Sequence, residues 1–188
     1  MIKNKYREKI ILGMIPPNVK KVLDIGSRGD IFKDYEVTTL DIIEHATIRQ
    51  DLNKNQKMNL KKNSFDLVVL NQILEHLSTC EELIDESKRV SKKYILVGLP
   101  NELTWGVRIK YLFGKIDQEG YLPYGHKHRF SIREIEKFIK KFLENYEKKR
   151  YYGAFTGANF LPDKLKDFLA NFYPNLFAKE VYYLIRIK

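Results

Sequence analysis

Val22-Leu23-Asp24-Ile25-Gly26-Ser27-Arg28-Gly29-Asp30 reads as an apolar strand running into a glycine-bearing turn. Gly26 has no Cβ, so the backbone can turn tightly there and come close to a ligand. In open α/β sheets, ligands bind outside the carboxyl ends of the strands. A turn of this kind is common, and it gains weight only from its surroundings. Asp41 closes the next apolar run, Val37 to Ile42. An acidic side chain at that point can accept hydrogen bonds from both hydroxyls of a ribose; a helix cap or a loop aspartate is the plainer reading.

Working outward, Ala46–Leu52, Phe65–Leu70 (FDLVVL) and Tyr94–Leu99 (YILVGL, closed by Pro100) read as further strands. Near-continuous Val/Ile/Leu runs suit parallel strands covered on both faces. Ile73–Leu77 and Glu81–Val90 have helical spacing between them, and strand alternating with helix predicts a doubly wound sheet. Ser131 and Glu134 read as a capping box opening a helix whose apolar face is Ile132, Ile135, Phe138, Ile139 and Phe142. Tyr146–Phe155 and Val181–Ile187 read as two strands, the last alternating near its end as an edge or hairpin strand does. The expected architecture is α/β: a Rossmann-like, doubly wound, mostly parallel seven-stranded sheet with helices on both faces and a C-terminal antiparallel hairpin. Residues 1–188 are expected to form a single domain, with an N-terminal helix within 1–20. Two aromatic-rich stretches, 102–130 and 156–179, are expected to be insertions covering a substrate site. The short span between Gly26 and Asp41 leaves room for a first helix of one or two turns.

A chain of 188 residues suffices for one sizeable core. The net charge of +10 favours anionic partners such as nucleic acid, phosphorylated compounds or a membrane surface. Much of the excess is lysine on segments that read as exposed helix faces: Lys61, Lys62, Lys92, Lys93, Lys140, Lys141, Lys148 and Lys149. No basic stripe interleaved with aromatics stands out at the N-terminal end, so nucleic acid is a weak expectation. No apolar run approaches the roughly 20 residues that span a bilayer. The basic start followed by Ile10–Ile15 lacks a small-residue cleavage site and reads as a helix. Cys80 is the single cysteine, which excludes an internal disulfide and suits a reducing cytoplasm.

Taken in order, the landmarks are Val22–Gly26, Asp41, Asp51-Leu52, Ser64–Val69 (SFDLVV), Leu74-Glu75-His76-Leu77, Glu86–Val90, Tyr94–Asn101 ending in Leu-Pro-Asn, and Gly125–Ser131 (GHKHRFS). This set resembles the class I S-adenosylmethionine-dependent methyltransferases, and among them the type 11 small-molecule group. The resemblance covers about residues 20 to 145, and the closing hairpin extends it. It implies an S-adenosylmethionine cofactor and a small-molecule, sugar or lipid-type acceptor. It further implies that Gly26, Ser27 and Gly29 form the loop beside the methionyl part, with Asp24 bracing it. Asp41 would bind the ribose and Ile42 would pack on the adenine. Asp51 would accept from the adenine amino group with the Leu52 backbone on the ring edge, and Asn71 and Gln72 would line the floor near the methyl. In the family's G-x-G-x-G loop, Arg28 and Asp30 here occupy the second and third glycine positions, with Gly29 between them.

Methyl transfer from a sulfonium needs alignment and exclusion of water more than acid–base chemistry. An oxygen acceptor still calls for a base, and His126 and His128, flanking Lys127, are the candidates; a pair that merely braces its loop is the plainer reading. Asp66 and Glu75-His76 read as structural. His126, His128, His76 and Cys80 are possible metal ligands by type, but no paired spacing of a structural zinc site is present, and no metal is expected. An apolar lid with a basic surface suits a peripheral contact with a membrane or a lipid substrate. The competing readings are a binding or scaffold protein that kept the fold and lost activity, argued from Arg28 and Asp30, and a nucleic-acid methyltransferase. Asn71-Gln72-Ile73-Leu74 departs from the Asn/Asp-Pro-Pro-aromatic arrangement of amino-methylating enzymes. A nicotinamide-dependent enzyme would share the glycine turn but not the later landmarks.

Overall fold

The computed structural model describes residues 5–26, 31–115, 125–143, 146–153 and 161–187. In chain order the elements are α1 Lys5–Met14, β1 Lys21–Ile25, β2 Glu36–Asp41, β3 Ile48–Arg49, β4 Phe65–Asn71, a 3-10 turn Leu74–His76, α2 Glu81–Val90, β5 Ser91–Pro100, α3 Trp105–Leu112, α4 Ile132–Phe142, β6 Lys148–Gly153, α5 Asp163–Phe172, α6 Pro174–Phe177 and β7 Ala178–Arg186. They build one seven-stranded sheet in the order β3-β2-β1-β4-β5-β7-β6. β1 to β5 are parallel, while β7 runs antiparallel to both β5 and β6. This is the mixed, doubly wound α/β sheet with the C-terminal hairpin that the sequence predicts.

Strict alternation explains why helices cover both faces. Val22, Leu67, Val69, Tyr94, Leu96, Tyr182 and Leu184 point to one side and bury Ile11 and Met14 of α1. Leu23, Ile25, Val68, Leu70, Ile95, Val97, Tyr183 and Ile185 point to the other, where Leu83 and Ile84 of α2 and Ile132, Ile135 and Ile139 of α4 meet them. α1 is further tied to β7 by Arg7, whose Nε donates to Glu180 Oε2 at 2.7 Å and to the Tyr182 hydroxyl at 2.8 Å. The capping box of α4 forms as expected: Glu134 N donates to Ser131 Oγ at 3.3 Å, and Ser131 N donates to Glu134 Oε2 at 2.7 Å.

Several details correct the expectations. Ile31–Tyr35 is turn and not helix; Phe32, 1% exposed, instead drops into the core beneath α1. β3 shrinks to Ile48-Arg49, since only Leu40–Ile48 and Asp41–Arg49 pair with β2. β7 is no edge strand: it is paired on both sides and buried from Glu180 to Ile185. Of the named lysines only Lys140 and Lys141 lie on a helix; Lys61 and Lys62 precede β4, Lys92 and Lys93 lie on β5, and Lys148 and Lys149 on β6. All are exposed except Lys149, half-buried beside Glu136, Tyr151 and Tyr183. Among the described residues, no helix is long and apolar enough to cross a membrane.

Candidate functional site

A cavity of about 290 Å³ opens at the carboxyl ends of β1, β2 and β4. Gly26, Asp41, Ile42, Gln50, Asp51, Leu52, Asn53, Gln72, Ile73, His76 and Leu77 line it. Its position is where the sheet order reverses, with β2 leaving β1 on one side and β4 on the other. Gly26 turns the chain at φ 77°, and its N–H donates to Leu40 O at 2.8 Å, locking the turn to β2. Gln72, just past β4, also holds a positive φ of 58° while its N–H donates to Gly98 O at 2.9 Å. A non-glycine residue in that conformation stores backbone strain, which clusters at functional sites.

Each acidic wall of the cavity is set by its own backbone. Asp41 Oδ1 accepts from Ile42 N at 2.6 Å, and Asp51 Oδ1 accepts from Asn53 N at 3.0 Å. Beside Asp41, Ile42 leaves 56% of its surface exposed, while Leu52 is buried. An apolar side chain left open between two carboxylates suits a flat, hydrogen-bonding ligand.

The residues singled out in the sequence do not all converge. Gly26, Asp41, Ile42, Asp51, Leu52 and Gln72 line the cavity. Ser27 and Gly29, with Arg28 and Asp30, lie outside the described residues. Asp24 is fully buried within β1 and is not a lining residue. Asn71 is not one either: it is buried, and its Oδ1 crowds Gly98 of the neighbouring strand. Strand alternation puts its side chain in register with Val69, away from the opening. Asp66 lies far from the cavity, its Oδ2 accepting from Lys20 N and Lys21 N, both at 3.0 Å.

The two histidines diverge. His126 is buried, with Nδ1 2.7 Å from Glu102 Oε1 and its ring 4.6 Å from that of His76, edge to face. His128 instead lies against Phe130, with centroids 5.8 Å apart. His126 thus stands one ring behind the cavity wall that His76 forms, and neither His126 nor His128 lines it. Between them, Lys127 reaches across to the rim: Nζ donates to Asn53 Oδ1 at 2.6 Å and to Ser78 Oγ at 2.8 Å. The loop is pinned by Lys127 N and His128 N, which donate to Glu75 O at 2.6 and 3.3 Å.

Glu75 was read as a structural residue, and its carbonyl does hold this loop. Its side chain is another matter. It is fully buried, and apart from its own backbone amide neither oxygen has a hydrogen-bond partner among the described residues. Burial pushes the carboxyl up to about 8. Burial, followed by the proximity of His126, lowers the His76 pKa. Gln50 and Asn53 escape sequence reading, and the Glu75-His76 pair, a landmark after β4, reads there only as structural.

Comparison with known proteins gives the grouping. The family model described as methionine biosynthesis protein MetW matches residues 42–185. The chain belongs to the MetW family. The MetW match takes in Asp51, the Glu75-His76 turn and the His126 loop, and begins just after Asp41. No sequence among the curated proteins matches the chain. Solved structures share the fold of the MetW-family chain. An S-adenosylmethionine-dependent methyltransferase from Archaeoglobus fulgidus is 17% identical with a TM-score of 0.63, over 97% of this chain and 92% of that one. One from Thermotoga maritima is 16% identical with a TM-score of 0.65, over 96% and 88%. One from Methanosarcina mazei is 18% identical with a TM-score of 0.57, over 94% and 96%. The fold is that of the S-adenosylmethionine-dependent methyltransferases.

Proposed function

We propose that the chain binds S-adenosylmethionine in this cavity and transfers its methyl group to a small-molecule, sugar or lipid-type acceptor, as a class I methyltransferase akin to the type 11 group. The supporting observation is the juxtaposition of Asp41, exposed Ile42 and Asp51 at the mouth of β1 and β2. Asp41 is the acceptor for ribose hydroxyls, Ile42 and Leu52 take the adenine faces, and Asp51 takes the adenine amino group. Gly26 gives the methionyl part close approach to the backbone. The cofactor supplies a methyl already activated on a sulfonium, so the protein's task is to hold the acceptor in line with it and keep water out. His76, on the wall, with His126 and Glu102 behind it, is the group placed to take a proton from an oxygen acceptor.

Calorimetric titration with S-adenosylmethionine and S-adenosylhomocysteine, with NAD as control, tests this. Binding of both sulfur compounds and not of NAD is the expected result. No binding at millimolar ligand would favour the inactive scaffold instead.

A lipid-type acceptor is favoured by the outer surface. α3 buries no residue, leaving Ile109, Leu112 and Phe113 exposed beside Arg108 and Lys110. α5 leaves Phe168 and Phe172 exposed. Apolar side chains among basic ones suit an anionic lipid surface. Flotation with anionic vesicles should carry the protein upward; recovery in the pellet would remove the lipid reading.

A further inference from the structure

We propose that Glu75, His76 and His126 bind a divalent transition-metal ion beside the cavity. One ligand atom from each side chain lies within 4.8 Å of the other two. Ligand atoms around one ion at about 2.1 Å sit about 3–4 Å apart, so side-chain movement of about 1 Å closes the set. Two imidazoles and one carboxylate leave coordination positions open, as in sites that take a further molecule, unlike closed four-ligand structural sites.

The second observation is the Glu75 carboxylate itself, fully buried and, apart from its own backbone amide, without a hydrogen-bond partner among the described residues. Burying such a group is costly unless a proton or a cation neutralises it. The nearby basic side chains are engaged elsewhere. Arg7 donates to Glu180 and Tyr182, and Lys127 donates to Asn53 and Ser78. Glu102 and Glu180 add negative potential at Glu75. Arg7 offsets part of this from a distance while bonded to Glu180 and Tyr182, so the surroundings favour a further positive charge at Glu75, a proton or a cation.

The third observation is the support behind the ligands. Glu102 Oε1 lies 2.7 Å from His126 Nδ1. A carboxylate behind an imidazole fixes its orientation and raises its basicity toward a metal. The backbone bonds from Lys127 and His128 to Glu75 O hold the two ligand-bearing segments together without using a ligand atom. His76 belongs both to the cluster and to the cavity wall, so an ion held there borders the cavity. Its task, gripping an acceptor oxygen in place of proton removal by the imidazole whose lone pair it takes, rests on the methyltransferase reading; ion binding does not.

The test uses the full chain after chelator treatment and dialysis. Zn²⁺ is titrated calorimetrically, and Co²⁺ by its visible absorption. One ion per chain is expected. Glu75→Gln, His76→Ala and His126→Ala should each weaken Zn²⁺ binding at least tenfold, while His45→Ala, an exposed histidine outside the cluster, leaves it unchanged. Thermal melts show that each variant folds, and His126→Asn replaces His126→Ala if the latter does not. Absence of Zn²⁺ binding in the wild type, or binding that survives all the cluster substitutions, overturns the site. Titration with S-adenosylhomocysteine runs in parallel. Cofactor bound without zinc defeats the metal site alone; zinc bound without cofactor defeats the methyltransferase reading alone.

Discussion

A Cβ placed on Gly26 would lie 2.7 Å from Cδ1 of Ile73, closer than side chains pack. The turn after β1 is therefore pressed against the segment after β4, and both line the cavity. Gly26→Ala adds this overlap to a left-handed backbone that costs about 1–2 kcal/mol for an alanine. It should lower the melting temperature and weaken S-adenosylhomocysteine binding. Ile73→Ala added to it removes the overlap and should return part of the stability, leaving the backbone cost. Melts of the single and double variants check this; no difference between them would show that the packing is not what excludes a side chain.

Asp41→Ala removes the carboxylate proposed for the ribose. Charged hydrogen bonds contribute about 1.5–3 kcal/mol, so affinity for S-adenosylhomocysteine should fall about tenfold to a hundredfold. The half-buried side chain contributes to the fold only through the nearby Ile42 and Ile43 amides, so the melt should move little. Calorimetry at matched protein concentration reads both. Unchanged affinity would mean that Asp41 does not hold the ligand.

Asp66 works for the fold alone. Its carboxylate, 14% exposed, caps two backbone amides ahead of and within β1 and lies 3.7 Å from Lys92 Nζ. The pKa is lowered: the bonds from Lys21 N and Lys20 N and the charge of Lys92 outweigh burial, which acts alone in the opposite direction. A depressed carboxyl pKa stabilises the fold above its unfolded value, and that contribution disappears as pH falls through the folded value. Asp66→Ala should cost about 1–3 kcal/mol at neutral pH. The gap between wild type and variant should narrow as the medium is made acid. Urea denaturation at neutral and acid pH measures it.

Cys80 sits ahead of α2, 5% exposed, with Sγ 3.4 Å from Leu74 O. Burial, aided by Glu81 and Glu75, pushes its thiol up to about 11. Because the thiolate is the reactive form, a thiol reagent at neutral pH should label the native protein slowly and the urea-unfolded chain at once. Rapid stoichiometric labelling of the native protein would contradict the burial.

What the sequence disclosed and withheld divides along physical lines. Val22–Ile25, Phe65–Leu70 and Tyr94–Leu99 are apolar on consecutive residues because both faces of the sheet are covered, and such runs read directly as parallel strands. The Ser131–Glu134 box announces α4 for a similarly local reason. β7 alternates at its end as an edge or hairpin strand does, and it does form the hairpin with β6; its second pairing, to β5, excludes the edge and depends on residues remote in sequence. The cavity follows the same rule. Asp41 and Asp51 stand at strand ends where a motif points to them. Asn71 is still within β4, so strand alternation turns it away, and Gln72 takes the wall with a positive φ that no sequence pattern announces. His126 meets His76 where the backbone amides of Lys127 and His128 find the Glu75 carbonyl, a contact that leaves no trace in residue type.

The place of β7 has a consequence for synthesis. The final strand of the sheet slots between β5 and β6, with β5 already complete far earlier in the chain. On the ribosome, Tyr94–Pro100 emerges with one side of its backbone unpaired, and the partner for that side, Glu180–Arg186, follows only after β6 and the helices between them have been made. The parallel half can gather as it is translated, but its inner border stays open to any passing strand until β7 arrives. Such exposed borders recruit other chains, so the nascent protein's hazard over that interval is association with its neighbours.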